Sequence, residues 1–179
     1  MSDPRDARRE TVRYRARFDE CGPGGVLRTS GLMRWAQDSA WLHSQRVGFT
    51  REWYAQRGLA WLVRCADLTV TGQIAMGETA SVTTNVIGIR RVWARRRTDV
   101  VGADGLPAAT ILTDWVVVDD RSLPLRVPPE FTAVFGESLP FEPARVALEP
   151  TPPGAVELRF AVRDHEIDPM AHANNAVYV

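Results

Sequence analysis

The sequence predicts an α+β domain in which an antiparallel sheet wraps around one long apolar helix. Three observations carry that expectation. A single alternating strand precedes one long helical stretch. Four β-branched, alternating stretches follow it, and short turns separate them. Strands clustered after one helix argue against a parallel βαβ array, and a sheet folded around that helix is the simplest arrangement that buries Trp35 and Trp41.

The elements follow in order. TVRYRARF (11–18) places Val12, Tyr14, Ala16 and Phe18 on one face and Arg13, Arg15 and Arg17 on the other, the period of a half-buried strand. DECGPGG (19–25) breaks regular structure through Gly22, Pro23, Gly24 and Gly25. Thr29 or Ser30 is placed to cap a helix reaching about Val47. Leu32, Trp35, Ala36, Ala40 and Leu42 give it helical periodicity, and Met33 and Trp41 widen its apolar arc, so it should be covered on more than one side. A short helical piece, TREWYAQRG (50–58), ends at Gly58. Strands are expected over 59–72, 78–90, 91–101 and 107–120, with GADG (102–105) as a hairpin turn. Pro124, Pro128, Pro129, Pro140, Pro143, Pro150, Pro152 and Pro153 exclude sheet interior from Ser122 to Pro153. Within that stretch PPEF (128–131) is expected to pack and 136–153 to be looser. AVELRFAVR (155–163) alternates again and reads as a new strand.

The composition is that of a soluble globular protein, and the formal net charge of +0 argues against a general nucleic-acid binder. All 22 cationic side chains are Arg. Cys21 and Cys65 have neither CxxC spacing nor a His cluster, so no zinc site is implied. The N-terminus lacks the apolar segment of a signal peptide and no run is long enough to span a membrane, so a cytoplasmic protein is expected.

Two stretches repeat. RFDECGPGGVLRT, from Arg17, and RDHEIDPMAHANN, from Arg163, both leave a strand at an Arg. Glu20 then matches Glu166, Gly22 matches Asp168 and Pro23 matches Pro169 at constant offset. This reads as a duplicated unit far longer than a solenoid repeat. A second copy should continue with a helix after Asn174 and four more strands. The chain is therefore expected to be a fragment of a longer protein, the alternative being that these residues pair with another chain. The expected organisation is a first domain over 11–131, a Pro-rich linker over 132–154 and the start of a second domain over 155–179.

DPMAHANNAVY (168–178) resembles the D-P-x-G-H-x-N-N-x-x-Y stretch of hotdog-fold acyl thioesterases. RFDECGPGGVLRTSGLMRWAQD (17–38) is similar to the first-strand, loop and helix start of that superfamily. Two copies in one chain are closest to the tandem, double-hotdog acyl-ACP thioesterases. The resemblance implies thioester hydrolysis in fatty-acid synthesis, without a cofactor. Asp168 would activate water or attack the carbonyl directly, His172 would orient the substrate, and Asn174 and Asn175 would fix the loop. Family members commonly have Gly where Ala171 stands, and plant-type enzymes have Asn where Met170 stands. The first copy, with Gly22 and Val26 at the Asp and His positions, should be silent and line the acyl pocket.

Alternatives stand beside these roles. Asp, His and Asn are also common before helices, so the loop could be only a capped helix start. Arg90, Arg91, Arg95, Arg96 and Arg97 could present a cationic patch, with Arg91 and Arg95 on its face, to an acyl carrier protein or to the phosphates of CoA; a solvated sheet face is the plainer reading. Met33 and Trp35 could border the acyl channel, although most Trp residues should be core. The rival function is a non-catalytic acyl-thioester-binding or assembly module. A lone first unit, with an open sheet edge, should self-associate or pair with a second hotdog unit.

Overall fold

The computed structural model describes residues 8–136, 141–143, 147 and 149–179. Five strands form one antiparallel sheet: β1 (Arg9–Arg15), β2 (Ala60–Val70), β3 (Thr79–Arg90), β4 (Trp93–Val101) and β5 (Pro107–Val118). Their spatial order is β1-β3-β4-β5-β2. The hairpins β3–β4 and β4–β5 build the centre, and β1 and β2 flank it. The expected hotdog unit, a sheet with one long helix against it, is the observed architecture. That helix, α1 (Thr29–Arg46), buries Leu32, Met33, Trp35, Ala36, Ser39, Ala40 and His43.

Side-chain alternation fixes which face α1 covers. Ala80, Val82 and Thr84 of β3, Ala94, Arg96, Thr98 and Val100 of β4, and Ile111, Thr113 and Val117 of β5 are all buried. Register sets them side by side: Thr84 faces Thr98, Thr98 faces Ile111, and Arg96 faces Thr113. The opposite face carries Arg95 and Asp114, Arg97 and Asp99 as ion pairs.

The helix begins one residue before the expected cap. Arg28 is the N-cap, without a side-chain cap, and Thr29 is already helical. Tertiary bonds set this point: the Arg28 N–H donates to Glu20 O and the Leu27 N–H to Ile74 O, so the chain is pinned in extended geometry up to Arg28. Helix α1 stops at Gly48, whose φ of 94° lets its N–H turn back to Gln45 O.

The core falls into two clusters. One gathers Leu27, Leu32, Met33, Trp35, Ala36, Val82, Val100, Ile111 and Ala176. The other gathers Phe49, Val117, Val127, Phe131 and Phe135, with Trp53, Trp61 and Val86 against them. A polar layer separates them on β3, β5 and α1. Thr84 stands between Val82 and Val86, Thr113 between Ile111 and Val117, and Ser39 and His43 between Ala36 and Val47. The short helices α2 (Arg51–Ala55) and α3 (Pro129–Phe135) close the second cluster, where Phe49 and Phe131 stack at 4.0 Å. The PPEF stretch packs as expected, and its helix runs past residue 131.

The expected strand over 155–163 does not form. Val156, Leu158 and Phe160 are 82%, 81% and 75% exposed, and the stretch pairs with no described strand. Alternation announces a face to bury but supplies no neighbour, and a strand exists only through its neighbour's hydrogen bonds. Of the Pro-rich stretch, 137–140, 144–146 and 148 lie outside the described residues. Phe141 and Glu142 cross the outer face of the sheet, where Phe141 lies against Gly88 and under the Arg95 guanidinium at 4.8 Å.

Candidate active-site loop

The two loops matched in the sequence have the same backbone. In the first, Glu20 N donates to Arg17 O (3.1 Å), Gly22 N to Val26 O (2.9 Å), Gly25 N to Gly22 O (2.9 Å) and Arg28 N to Glu20 O (3.0 Å). In the second, Glu166 N donates to Arg163 O (2.9 Å), Asp168 N to His172 O (2.8 Å), Ala171 N to Asp168 O (2.9 Å) and Asn174 N to Glu166 O (2.8 Å). Each opens with a 3-10 turn, Phe18–Glu20 and Asp164–Glu166, whose last Glu accepts from the backbone N–H of the preceding Arg. Each closes with one isolated antiparallel bridge, Cys21 to Leu27 and Ile167 to Ala173. Even the left-handed position coincides, Gly25 at φ 70° and Ala171 at φ 61°.

Where the first copy enters α1 at Thr29, the second enters a 3-10 turn at Asn175 (Asn175–Tyr178). Asn174 caps it, its Oδ1 accepting from Ala176 N at 2.9 Å. Ala176 is buried in the first core cluster, so the loop sits against α1.

Asp168 does what Gly22 cannot. Its Oδ1 accepts from Met170 N (2.9 Å) and His172 N (3.2 Å), which orients the carboxylate within its own loop. Its Oδ2 takes no bond from a described residue, so one oxygen is held and the other is presented. His172 is exposed, and Asn175 is half-buried at the first position of the 3-10 turn. Asp168, His172, Asn174 and Asn175 are therefore together on one turn of chain.

The remaining candidates are elsewhere. Met33 and Trp35 lie in the first core cluster, the one that also receives Ala176. Trp35 is anchored: its Nε1 donates to Glu20 Oε1 (3.3 Å) and its ring stacks on Tyr14 at 5.4 Å. Burial first, then the hydrogen bond to Asp38, pushes the Tyr14 phenol above its ordinary value. Arg95 grips Asp114 through two bonds, Nε to Oδ1 (2.6 Å) and Nη2 to Oδ2 (2.7 Å), which hold its guanidinium above its ordinary pKa. Arg97 pairs with Asp99, and Arg96 is buried on the other face. Of the expected cationic patch, Arg90 and Arg97 are exposed but paired with Glu142 and Asp99, and Arg91 is exposed in the β3–β4 turn at φ 53°. The Glu20 anchor was not assigned from the sequence; the signal is the Arg-x-x-Glu spacing at both loop entrances. Among the described residues no group of three or more His, Cys, Asp or Glu gathers that could hold a metal ion. Among them also, no helix is long and apolar enough to cross a membrane.

A five-stranded 1-3-4-5-2 sheet on one long helix defines the hotdog class. Comparison with known proteins agrees. The model of the acyl-ACP thioesterase N-terminal domain matches residues 9–135, and the chain belongs to that family. Among solved structures, a protein of Lactobacillus plantarum provisionally called an oleoyl thioesterase superposes with a TM-score of 0.81 at 22% identity, over 98% of this chain and 70% of its own. An acyl-ACP thioesterase of Bacteroides thetaiotaomicron gives 0.78 at 19% identity, over 99% of this chain and 72% of its own. The DHNA-CoA thioesterase of Staphylococcus aureus gives 0.66 at 18% identity and covers 71% of this chain but 88% of its own. At these identities the structures show the fold. No curated protein sequence matches.

Proposed function

We propose that the chain hydrolyses acyl thioesters carried by acyl carrier protein, in fatty-acid synthesis, with Asp168 as the reacting carboxylate. The observation that carries this reading is the loop pair. The backbone of Arg163–Asn174 repeats that of Arg17–Arg28, but only the second copy places a carboxylate and an imidazole, Asp168 and His172, at the positions of Gly22 and Val26. Residues 155–179 are then the start of a second hotdog unit, residues 132–154 the linker, and the first unit the half that lines the acyl pocket.

Hydrolysis adds water across the C–S bond. With Oδ1 tied to Met170 N and His172 N, Asp168 presents Oδ2 either to water, removing its proton as the oxygen attacks the carbonyl carbon, or to the carbonyl carbon itself. The oxyanion so formed needs donors. The backbone N–H groups of the turn after Asn174 are the nearest source of such donors. Collapse expels the thiolate, which takes up the proton. Where Asp168 itself has attacked, water then cleaves the acyl anhydride to release the acid and restore the carboxylate. His172 orients the carrier arm, Asn174 holds the loop, and Arg91 contributes positive charge toward the acidic carrier.

The second reading, an acyl-thioester-binding module, is favoured by Gly22 and Val26, which leave the first unit without reacting side chains. Thiol release from matched acyl-ACP and acyl-CoA panels separates the two. Turnover with preference for the carrier protein is expected; tight binding of the panel without any turnover would establish the module instead.

A further inference from the structure

We propose that Arg96 and Trp115 form a binding site for a carboxylate at the far end of the acyl chain, so that the substrate is an acyl thioester ending in a second carboxyl group. The inference rests on the thioesterase reading and specifies its substrate.

Arg96 is 7% exposed and points from β4 into the polar layer beneath α1. Its Nη1 meets His43 Nδ1 at 2.9 Å and donates to Thr84 Oγ1 at 3.3 Å. No carboxylate among the described residues pairs with it. Its Nε and Nη2 donate to no described acceptor. These two nitrogens form the fork with which the adjacent Arg95 grips Asp114, one oxygen on each. Buried charges are ordinarily paired, and a planar guanidinium fork fits a carboxylate better than any other partner.

A second orphan donor stands beside it. Trp115 Nε1 is buried without a partner among the described residues. Arg96 faces Thr113 and Trp115 faces Ala94 across the same strand pair. The two are therefore diagonal neighbours on the inner face, roughly 7–8 Å apart at the backbone and within reach of a shared ligand. Two neighbouring inner-face groups thus await an anion: a buried guanidinium with no carboxylate partner among the described residues, and an indole N–H with no acceptor among them.

Their depth fits the end of a chain rather than the reacting thioester. The Asp168 loop meets the first core cluster through Ala176, and that cluster is apolar throughout. Beyond it comes the polar layer with His43, fourteen residues past Thr29 on α1, roughly 21 Å along the helix. An alkyl chain entering at the loop would follow the apolar cluster and end against Arg96. A methyl terminus would leave the Arg96 charge without a counter-ion and the Trp115 N–H without an acceptor. A carboxylate would satisfy both.

The test is equilibrium binding, by calorimetry, of the full chain to acyl-CoA thioesters from hexanoyl to tetradecanoyl and to ω-carboxy thioesters of equal length. At one length the ω-carboxy thioester should bind at least tenfold more tightly than its plain counterpart. Arg96→Met should abolish that preference and Trp115→Phe should reduce it severalfold. Trp115→Phe removes one N–H and keeps an aromatic ring, so it reports on the site even where Arg96→Met fails to fold. Plain thioesters bound equally or better at every length overturn the proposal and leave the thioesterase reading intact. A preference that survives both substitutions overturns the assignment to these residues. No binding of either series overturns the proposal, and thiol release from acyl-ACP decides the thioesterase reading separately.

Discussion

Replacing Arg96 by Met should leave the unliganded protein at least as stable as it is now, although Arg96 is among its most deeply buried polar side chains. Burial pushes the guanidinium down to about 10, well below its ordinary value, with Tyr54 only partly opposing. At about 1.4 kcal/mol per tenfold, holding the charged form there costs about 3 kcal/mol. The cost is fully present below pH 10 and lifts as pH rises from about 10 towards the ordinary guanidinium value, so it operates at neutral pH. Against it stand two bonds from Nη1, to His43 Nδ1 and Thr84 Oγ1, each contributing about 1 kcal/mol net. Thr84 keeps its bond from Thr98 Oγ1 at 3.0 Å. Met fills similar length with apolar volume, so the balance is a gain of about 1 kcal/mol. Urea unfolding of the two proteins measures it as a shift of midpoint at unchanged slope. A loss of about 3–5 kcal/mol, the usual cost of stripping one partner from a buried ion pair, would refute the reasoning by showing that an anion already neutralises Arg96.

Three further outcomes follow from the same geometry. Gly25→Ala should destabilise by about 1 kcal/mol: nothing lies within 4 Å of an added Cβ, so only left-handed strain of about 1–2 kcal/mol acts, partly offset by a stiffer unfolded chain. Ala171→Gly should do the opposite, raising the melting temperature slightly; a stabilising Gly25→Ala would contradict both. Burial pushes the Tyr14 and Tyr54 phenols up, aided at Tyr14 by Asp38, so the native state keeps protons that the unfolded chain releases near pH 10. Their contribution to stability is whole below pH 10 and declines above it, and ultraviolet titration should find both ionising only with unfolding. Reversible ionisation of both near pH 10, with native circular dichroism, would sink that prediction.

The fold was legible because its signals are local. β3, β4 and β5 alternate over nine to twelve residues and their turns are short, so neighbouring strands in sequence are neighbours in the sheet. The repeat was legible from three matched positions because Glu20 and Glu166, and the αL positions Gly25 and Ala171, answer the same backbone demand. What escaped depends on partners distant in sequence. The stretch 155–163 has a strand's alternation but no neighbour to pair with. Arg95, Arg96 and Arg97 look alike in a run of cations; alternation gives their facing, but only the register with β5 shows that Arg95 meets Asp114 while Arg96 is driven under α1. Trp35 reads equally well as core or channel until Glu20 and Tyr14 are seen to hold it.

The Asp168→Asn variant isolates the reacting carboxylate from the loop it stabilises. An amide oxygen can still accept from Met170 N and His172 N, so the loop keeps its shape, while the basic oxygen at Oδ2 is lost. Thiol release from acyl-ACP by the two proteins, at equal circular dichroism, is the measurement. A fall in kcat of about a hundredfold or more, the ordinary contribution of a general base, is the predicted result. Undiminished turnover in the variant would contradict the assignment of Asp168 and return the loop to a capped helix start.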